Sequence, residues 1–168
     1  MIYKSIFIDL DDTLWDTYHN NKECLEELYT DYHFNRYYAS FEAFFDIYMP
    51  HNLDLWAKYR SGEIDRQTLI LDRFLYVLRP LDKKTVLSVN NDFLQRTTTK
   101  TRLVPGAIEL LEYLCPSYRL FILSNGFREV QFKKLSNAGL APYFERMILS
   151  EDANIQKLTP VRELNDRG

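Results

Sequence analysis

The chain has 168 residues, 46% of them hydrophobic, which is enough for one domain with a buried core and an inserted subdomain. Its 21 basic and 24 acidic residues give a formal charge of −3 and form no dense run, which argues against nucleic-acid and anionic-membrane binding. Cys24 and Cys115 fit neither a metal-ligand spacing nor a disulfide framework, so we expect two reduced, packed thiols. Because no signal-peptide pattern or long apolar segment is found, we expect a cytoplasmic protein.

The first predicted element is a buried strand that ends in carboxylates. Ile6-Phe7-Ile8 is followed at once by Asp9-Leu10-Asp11-Asp12-Thr13, and open α/β sheets bind ligands at the carboxyl ends of their strands. Alternation along an extended segment puts Asp9 and Asp11 on one side. Two such carboxylates can share a Mg²⁺ or divide the roles of nucleophile and acid/base. Taken alone, the pattern is also typical of a solvated acidic turn.

A helical segment follows, over residues 17–99, where apolar residues recur with helical spacing. Asp65 and Asp82 precede two of the apolar stripes and are predicted N-caps, while Gly62 and Pro80 mark joints between helices. The stripes are Leu25, Leu28, Tyr29 and Tyr32; Phe41, Phe44, Phe45 and Tyr48; Leu69, Ile70, Phe74, Val77 and Leu78; and Val86, Val89, Phe93 and Leu94. This segment is predicted to be a helical insertion.

The remainder alternates helix and strand. A helix after Pro105 leads into a predicted strand at Tyr118–Leu123, a second helix at about Phe127–Ala138 ends at Gly139, and Met147–Leu149 is a third strand. Such alternation predicts a parallel sheet with right-handed crossovers. The helical insertion would then lie over the carboxyl ends of the strands.

Three segments resemble, in order, the signature motifs of the haloacid dehalogenase-like (HAD) phosphohydrolases. They are the strand ending in Asp9-Leu10-Asp11-Asp12-Thr13, the strand ending in Ser124-Asn125-Gly126, and Lys157 after Ile148-Leu149-Ser150-Glu151-Asp152. The resemblance implies an α/β fold, a Rossmann-like three-layer parallel sheet (residues 1–16 and 100–168) with an inserted α-helical cap (residues 17–99) that selects the substrate. A fourth motif, an acidic pair after a further strand, is not found before Gly168. We therefore expect the HAD-like core to be incomplete at its C-terminus.

The resemblance also assigns catalytic roles. Asp9 would attack phosphorus and form an aspartyl-phosphate, and Asp11 would protonate the leaving oxygen and then deprotonate water. That second role needs a carboxyl whose pKa is raised by its site. An acidic residue at position 11 favours a phosphatase over a dehalogenase, because a halide leaving group needs no proton. Asp12 stands where the family often has Gly.

The phosphoryl group is expected to be held by Thr13, Ser124, Asn125, Gly126 and Lys157. Taken alone, Ser124-Asn125-Gly126 is typical of a turn. The role of Lys157 depends on its register with the segment 150–152. Leu158 follows this lysine where the family commonly has Pro.

The implied cofactor is Mg²⁺, with Asp9 and Asp11 as metal ligands. Asp9 would supply a carboxylate oxygen and Asp11 its backbone carbonyl, together with phosphate and water. The missing fourth motif would supply a further carboxylate. Glu151 and Asp152 could compensate in part, although an acidic surface loop is the simpler interpretation.

The segments Leu10–Asp16, Trp56–Ile64 and Leu123–Phe127 together resemble the 5′-nucleotidases that act on nucleoside monophosphates, and aromatic residues of the insertion could stack on a base. We therefore expect a Mg²⁺-dependent phosphomonoesterase acting on a small-molecule phosphate ester, in particular a nucleotide. The alternatives are an inactive fragment or pseudoenzyme that binds a ligand or partner, and a mutase. Without the fourth-motif strand, Ile6-Phe7-Ile8 would form an open sheet edge, so we expect marginal stability and self-association.

Overall fold

The computed structural model describes residues 3–152. Lys157 therefore lies outside the described residues. The principal elements are β1 (Ser5–Ile8), α1 (Thr17–Asp31), α2 (Phe41–Ser61), α3 (Arg66–Leu75), α4 (Lys83–Thr97), α5 (Ala107–Leu114), β2 (Arg119–Ser124), α6 (Arg128–Asn137) and β3 (Arg146–Leu149). Short 3-10 helices occur at Phe34–Arg36, Ala141–Tyr143 and Ser150–Asp152.

The three strands form one parallel sheet in the order β1-β2-β3. Ile8 is in register with Ile122, and Ser124 with Leu149. The expected α/β class is confirmed. The second strand runs one residue further than the sequence predicts, so that Ser124 is its last residue. Asp9 and Ser124 consequently lie at the carboxyl ends of neighbouring strands.

One face of the sheet packs against α5 and α6. The buried cluster on this face contains Ile8, Leu10, Leu14, Trp15, Ala107, Leu111, Leu120, Ile122, Leu135, Leu140, Met147 and Leu149. The opposite face carries Phe7, whose side chain is 57% exposed and whose ring stacks on Phe121 at 5.3 Å between centroids. This large apolar side chain is therefore in contact with solvent.

The helices α1 to α4 bury a second apolar cluster, and it contains most of the stripes that the sequence predicts. Asp65 and Asp82 are N-caps as predicted, because their carboxylates accept the backbone N–H groups of Thr68 and Thr85. Gly62 ends α2 with a φ of 77°, a conformation that favours glycine. Hydrophobic periodicity and capping residues therefore account for this helical block.

A smaller cluster joins the helical block to the start of α6. Leu55 of α2 and Leu69 of α3 pack with Phe127 and Val130, at the start of α6. Phe127 directly follows Gly126, so the helical block contacts the segment that follows β2.

The fold places three residues whose surroundings matter, and two of them test the expectation of packed thiols. Trp15, which precedes the helical insertion, is fully buried in the sheet cluster and donates from its indole N–H to the carbonyl of Lys100. Cys24 is buried, as expected, and burial raises the pKa of its thiol to about 11. Cys115 was expected to be packed and is exposed. Within residues 3–152, no helix has the length and apolar character needed to span a membrane.

Candidate active site

The chain turns sharply after β1. The carbonyl of Leu10 accepts the N–H groups of Leu14 at 3.0 Å and Trp15 at 2.9 Å, which folds the acidic segment into a tight loop. The side chain of Thr13 turns back toward β1, and its hydroxyl donates to the Asp9 carboxylate at 3.4 Å. The loop thus brings together the predicted nucleophile and one predicted phosphate ligand.

Asp12 takes the left-handed conformation in this loop, with a φ of 57°. A non-glycine residue pays a steric cost there, and Asp and Asn are among those that tolerate it best. The Asp12 carboxylate accepts the backbone N–H groups of Thr17 at 3.0 Å and Tyr18 at 3.3 Å. These hydrogen bonds satisfy donors at the start of α1 and offset the cost. They explain how Asp is accommodated at a position whose backbone conformation favours glycine.

Ser124 is 1% exposed at the end of β2. Its hydroxyl oxygen accepts two hydrogen bonds, from the backbone N–H of Gly126 at 3.1 Å and from Nε2 of Gln131 at 2.7 Å. Asn125 and Gly126 are half-buried in the turn that leads to α6. The Ser124 hydroxyl is therefore hydrogen-bonded both to the turn and to α6.

Asp11 is held by three donors. Its Oδ1 accepts from Nζ of Lys134 at 2.8 Å and from the Thr17 hydroxyl at 3.2 Å, and its Oδ2 accepts from Nε2 of Gln131 at 2.6 Å. The Lys134 side chain is only 7% exposed, and its ammonium lies 3.9 Å from the centroid of the Trp15 ring. The two bonds made by Gln131 bring Asp11 and Ser124 together across the carboxyl ends of β1 and β2.

The protonation of Asp11 differs from the sequence expectation. Burial alone would raise the pKa of this carboxyl, but the charge of Lys134 and the hydrogen bonds from Lys134, Gln131 and Thr17 outweigh it and hold the pKa below its ordinary value. The expected rise in pKa is therefore wrong for this arrangement. Asp11 is ionised here at neutral pH, the form that accepts a proton.

Sequence reasoning missed Gln131 and Lys134. It assigned the positive charge of the site to Lys157 alone. The available signal was position: Gln131 and Lys134 are one turn apart on α6 and share its buried side with Val130 and Leu135. Polar residues within such a stripe usually meet a buried partner.

Glu151 and Asp152 lie at the N-terminus of α6. Glu151 accepts the backbone N–H of Arg128 at 3.0 Å, and Asp152 forms an ion pair with the Arg128 guanidinium. Negative charge is favourable at a helix N-terminus. These contacts fit the simpler interpretation of an acidic loop better than a role as metal ligands.

The residues that could hold a metal are Asp9 and Asp11. No group of three or more His, Cys, Asp or Glu side chains suited to a metal ion occurs within residues 3–152. The carbonyls of Leu10 and Trp15 accept the backbone hydrogen bonds of the loop, and the Asp11 carbonyl accepts none of them. A carboxylate and a carbonyl are hard oxygen donors, and Mg²⁺ usually keeps several water or phosphate ligands. The donor set fits Mg²⁺ on those terms.

Comparison with known proteins identifies the class to which this fold and site belong. A family model for haloacid dehalogenase-like hydrolases matches residues 3–162, and the chain belongs to that family. The family resemblance seen in the sequence is confirmed. The match runs from the residues before β1 to beyond β3, so it takes in the whole site described above.

Individual relatives are more distant. The HAD-hydrolase YfnB of Bacillus subtilis is 26% identical over 165 residues, which is 96% of this chain and 66% of YfnB. The pyrimidine 5′-nucleotidase PynA of Streptococcus pneumoniae is 29% identical over 161 residues, 94% of this chain and 65% of PynA. A magnesium-bound crystal structure of YfnB superposes with a TM-score of 0.81 at 25% identity, covering 92% of this chain and 68% of that one. This chain thus spans about two thirds of the length of these relatives.

Proposed function

We propose that this chain carries the catalytic residues of a Mg²⁺-dependent phosphomonoesterase that works through an aspartyl-phosphate. The observation that supports the proposal most is the bridge made by Gln131 between Asp11, after β1, and Ser124, at the end of β2. A candidate acid/base and a candidate phosphate ligand meet there, beside Asp9 and Thr13. Phosphoryl transfer is catalysed mainly by such positioning and by charge stabilisation.

The reaction proceeds in two displacements. A carboxylate oxygen of Asp9 forms a bond to phosphorus while the bond from phosphorus to the ester oxygen breaks, and the leaving oxygen takes a proton from Asp11. Water then attacks the aspartyl-phosphate and gives a proton to Asp11, releasing inorganic phosphate and the free Asp9 carboxylate. The ion pair with Lys134 favours the ionised form of Asp11, which the second displacement uses. The proton that Asp11 then takes from water is the one that it gives to the leaving oxygen in the next turnover.

Phosphate binding rests on hydroxyl, backbone and cationic groups. Thr13, Ser124 and Asn125 supply hydrogen-bond donors around the phosphoryl oxygens, the N–H of Gly126 orients the Ser124 hydroxyl, and Lys157 remains a predicted phosphate ligand. Mg²⁺, held by the Asp9 carboxylate and the Asp11 carbonyl, would neutralise charge on the phosphoryl oxygens. Lys134 adds a buried positive charge beside Asp11.

For the substrate, we propose a nucleoside monophosphate. Trp56 and Tyr59 lie at the junction between α2 and Phe127, next to the Ser124–Gly126 turn. Aromatic rings close to a phosphate site are suited to stacking on a base. PynA of Streptococcus pneumoniae and YjjG of Escherichia coli are named pyrimidine 5′-nucleotidases, and each is 29% identical to this chain.

The division of the chain into two parts agrees with this function. We assign residues 1–16 and 100–168 to the catalytic core and residues 17–99 to the cap, in keeping with the separate apolar clusters of the two parts.

We also propose a cytoplasmic location, supported by two free cysteines, one of them exposed. Self-association through the edge strand β1 is proposed as well, because Phe7 is exposed there.

A panel of phosphate monoesters, assayed with Mg²⁺ and with EDTA, tests the function. We expect Mg²⁺-dependent release of phosphate, with nucleoside monophosphates preferred over sugar phosphates and aryl phosphates. Turnover of sugar phosphates alone would exclude the nucleotidase assignment. No hydrolysis of any ester by the full-length protein, together with retained nucleotide binding, would favour the alternative of a pseudoenzyme that acts as a binding module.

A further inference from the structure

The hydrogen-bond pattern around Ser124 fixes the direction of its hydroxyl. A serine hydroxyl has one hydrogen to donate and two lone pairs that accept. Both lone pairs of Ser124 are used, one by the N–H of Gly126 and one by Nε2 of Gln131. The hydroxyl hydrogen therefore points to a third partner, and the carboxyl ends of the strands are where that partner would lie.

The orientation of the Gln131 amide follows from chemistry. Its Nε2 lies 2.6 Å from Oδ2 of Asp11 as well as 2.7 Å from the Ser124 hydroxyl. The other oxygen of this carboxylate accepts from Nζ of Lys134 at 2.8 Å, so both oxygens of Asp11 act as acceptors and the amide presents its NH₂ group to it. The same NH₂ group then donates its second hydrogen to Ser124. Gln131 is 1% exposed, and no solvent competes for these donors.

Gln131 also lies between the Ser124 hydroxyl and the Asp11 carboxylate. The Ser124 hydroxyl and the Asp11 carboxylate both contact the same amide nitrogen, so these two groups lie close to each other. Without Gln131, the Ser124 hydroxyl could donate to the Asp11 carboxylate, a strong charge-assisted bond. The glutamine occupies that position and leaves the serine hydrogen available to a ligand.

Gly126 gives an independent sign of the same arrangement. A Cβ at this position would overlap the end of the Gln131 side chain. Glutamine ends are usually flexible, but this one is buried and bound to two partners. The absence of a side chain at position 126 is therefore what allows Gln131 to reach Ser124.

We propose that Gln131 is a positioning residue that holds the Ser124 hydroxyl as a hydrogen-bond donor to the phosphoryl group. The inference rests on the proposed function and deepens it, because it ties a residue of α6 to phosphate recognition. A hydroxyl fixed as a donor favours a ligand whose oxygens only accept, such as a phosphoryl dianion.

A double-mutant cycle on phosphate affinity tests the inference. Inorganic phosphate binding is measured by calorimetry in the presence of Mg²⁺ for the full-length protein, Ser124→Ala, Gln131→Met and the double variant. We expect Ser124→Ala and Gln131→Met each to weaken binding by about tenfold, the size of one hydrogen bond to a charged group. The double variant should bind within about twofold of Ser124→Ala alone, because Gln131 acts through the hydroxyl.

Three further variants guard against a purely structural effect. Gln95→Met makes the same change at an exposed position, and Leu135→Met alters packing on α6 beside Gln131; neither should change phosphate affinity. Gly126→Ala displaces Gln131 without changing it and should match Gln131→Met. If Gln131→Met does not fold, the Gly126→Ala and Ser124→Ala pair completes the cycle.

The outcomes separate this inference from the proposed function. If Gln131→Met weakens binding equally with and without the Ser124 hydroxyl, Gln131 acts through Asp11 or the fold, and the inference is overturned. Unchanged affinity in either single variant overturns it too. In both cases hydrolysis by the wild-type protein would leave the phosphatase proposal standing. A wild-type protein that neither binds phosphate nor hydrolyses esters would refute both.

Discussion

At the scale of single residues, Asp12 shows how a side chain can offset backbone strain. Its φ of 57° suits glycine, yet its carboxylate accepts two N–H groups at the start of α1. Glycine would relieve the strain and lose both hydrogen bonds. Asp12 therefore accepts a strained backbone conformation and in return satisfies two N–H groups at the start of α1.

Asp12→Ala should destabilise the protein by about 1–2 kcal/mol, because alanine keeps the strain and lacks the cap. Asp12→Asn is the matched control: asparagine tolerates this conformation and retains an oxygen acceptor, so its stability should be close to wild type. Urea unfolding of the three proteins measures the difference. Equal stabilities for the Ala and Asn variants would show that the cap contributes nothing.

At the scale of elements, α3 and α4 are joined by a buried charge. Arg73 is 2% exposed and donates from Nε to the amide oxygen of Asn90 at 2.7 Å. No carboxylate of residues 3–152 forms an ion pair with it. Burial lowers the pKa of the guanidinium, although Arg stays charged in proteins. Asn90 is thus its principal polar partner in this part of the chain.

Removing Asn90 should lower the free energy of unfolding. Asn90→Leu is expected to destabilise the protein by about 3 kcal/mol, because it leaves a buried charge without its acceptor. Adding Arg73→Met should recover most of the loss, since an apolar pair needs no hydrogen bonds. Asn91→Leu, at the exposed neighbouring position, is the control and should have little effect. Thermal unfolding of the four variants checks this, and additive losses for Asn90→Leu and Arg73→Met would contradict it.

The contact between α2 and Phe127 should control substrate choice. Trp56 lies 5.4 Å from the Phe127 ring, between centroids, and Phe127 directly follows the Ser124–Gly126 turn. We expect Trp56→Ala to lower kcat/KM for nucleoside monophosphates about tenfold more than for p-nitrophenyl phosphate, because remote contacts set specificity. Tyr37→Ala, at an exposed aromatic position, should leave the ratio unchanged. Equal losses for all esters would indicate disturbed folding instead.

Elements were largely predictable from sequence, while their mutual contacts were not. Periodicity placed the helices because apolar stripes must be buried, and carboxylates after an apolar run located Asp9 and Asp11. The contact of Lys134 and Gln131 with Asp11 joins residues more than a hundred positions apart. No local pattern encodes such a contact. The raised pKa expected for Asp11 failed for the same reason, since its neighbours lie on α6.

At the scale of the whole molecule, the sheet is packed on one face and exposes Phe7 on the other. β1 is the edge strand of the described sheet, and edges with exposed apolar side chains promote association between chains. The self-association proposed above would use this strand.

Phe7→Glu should therefore reduce self-association of the 168-residue chain. A charge on this face makes burial against another chain unfavourable. Tyr113→Glu is the control, because Tyr113 is also an exposed aromatic residue, 79% accessible, but lies on α5. Sedimentation velocity over a range of concentrations gives the answer. A wild-type chain that stays monomeric throughout would show that this face does not drive association.

The central claim is that Asp9 is the nucleophile of a phosphomonoesterase, and Asp9→Asn tests it most directly. Asparagine keeps the size of the side chain and removes the charge that attacks phosphorus. Hydrolysis of nucleoside monophosphates is measured with Mg²⁺ for the wild type, Asp9→Asn and the exposed control Asp46→Asn. We predict a fall on the order of 10³-fold or more for Asp9→Asn with an unchanged melting temperature, and none for Asp46→Asn. Near wild-type turnover by purified Asp9→Asn would contradict the account.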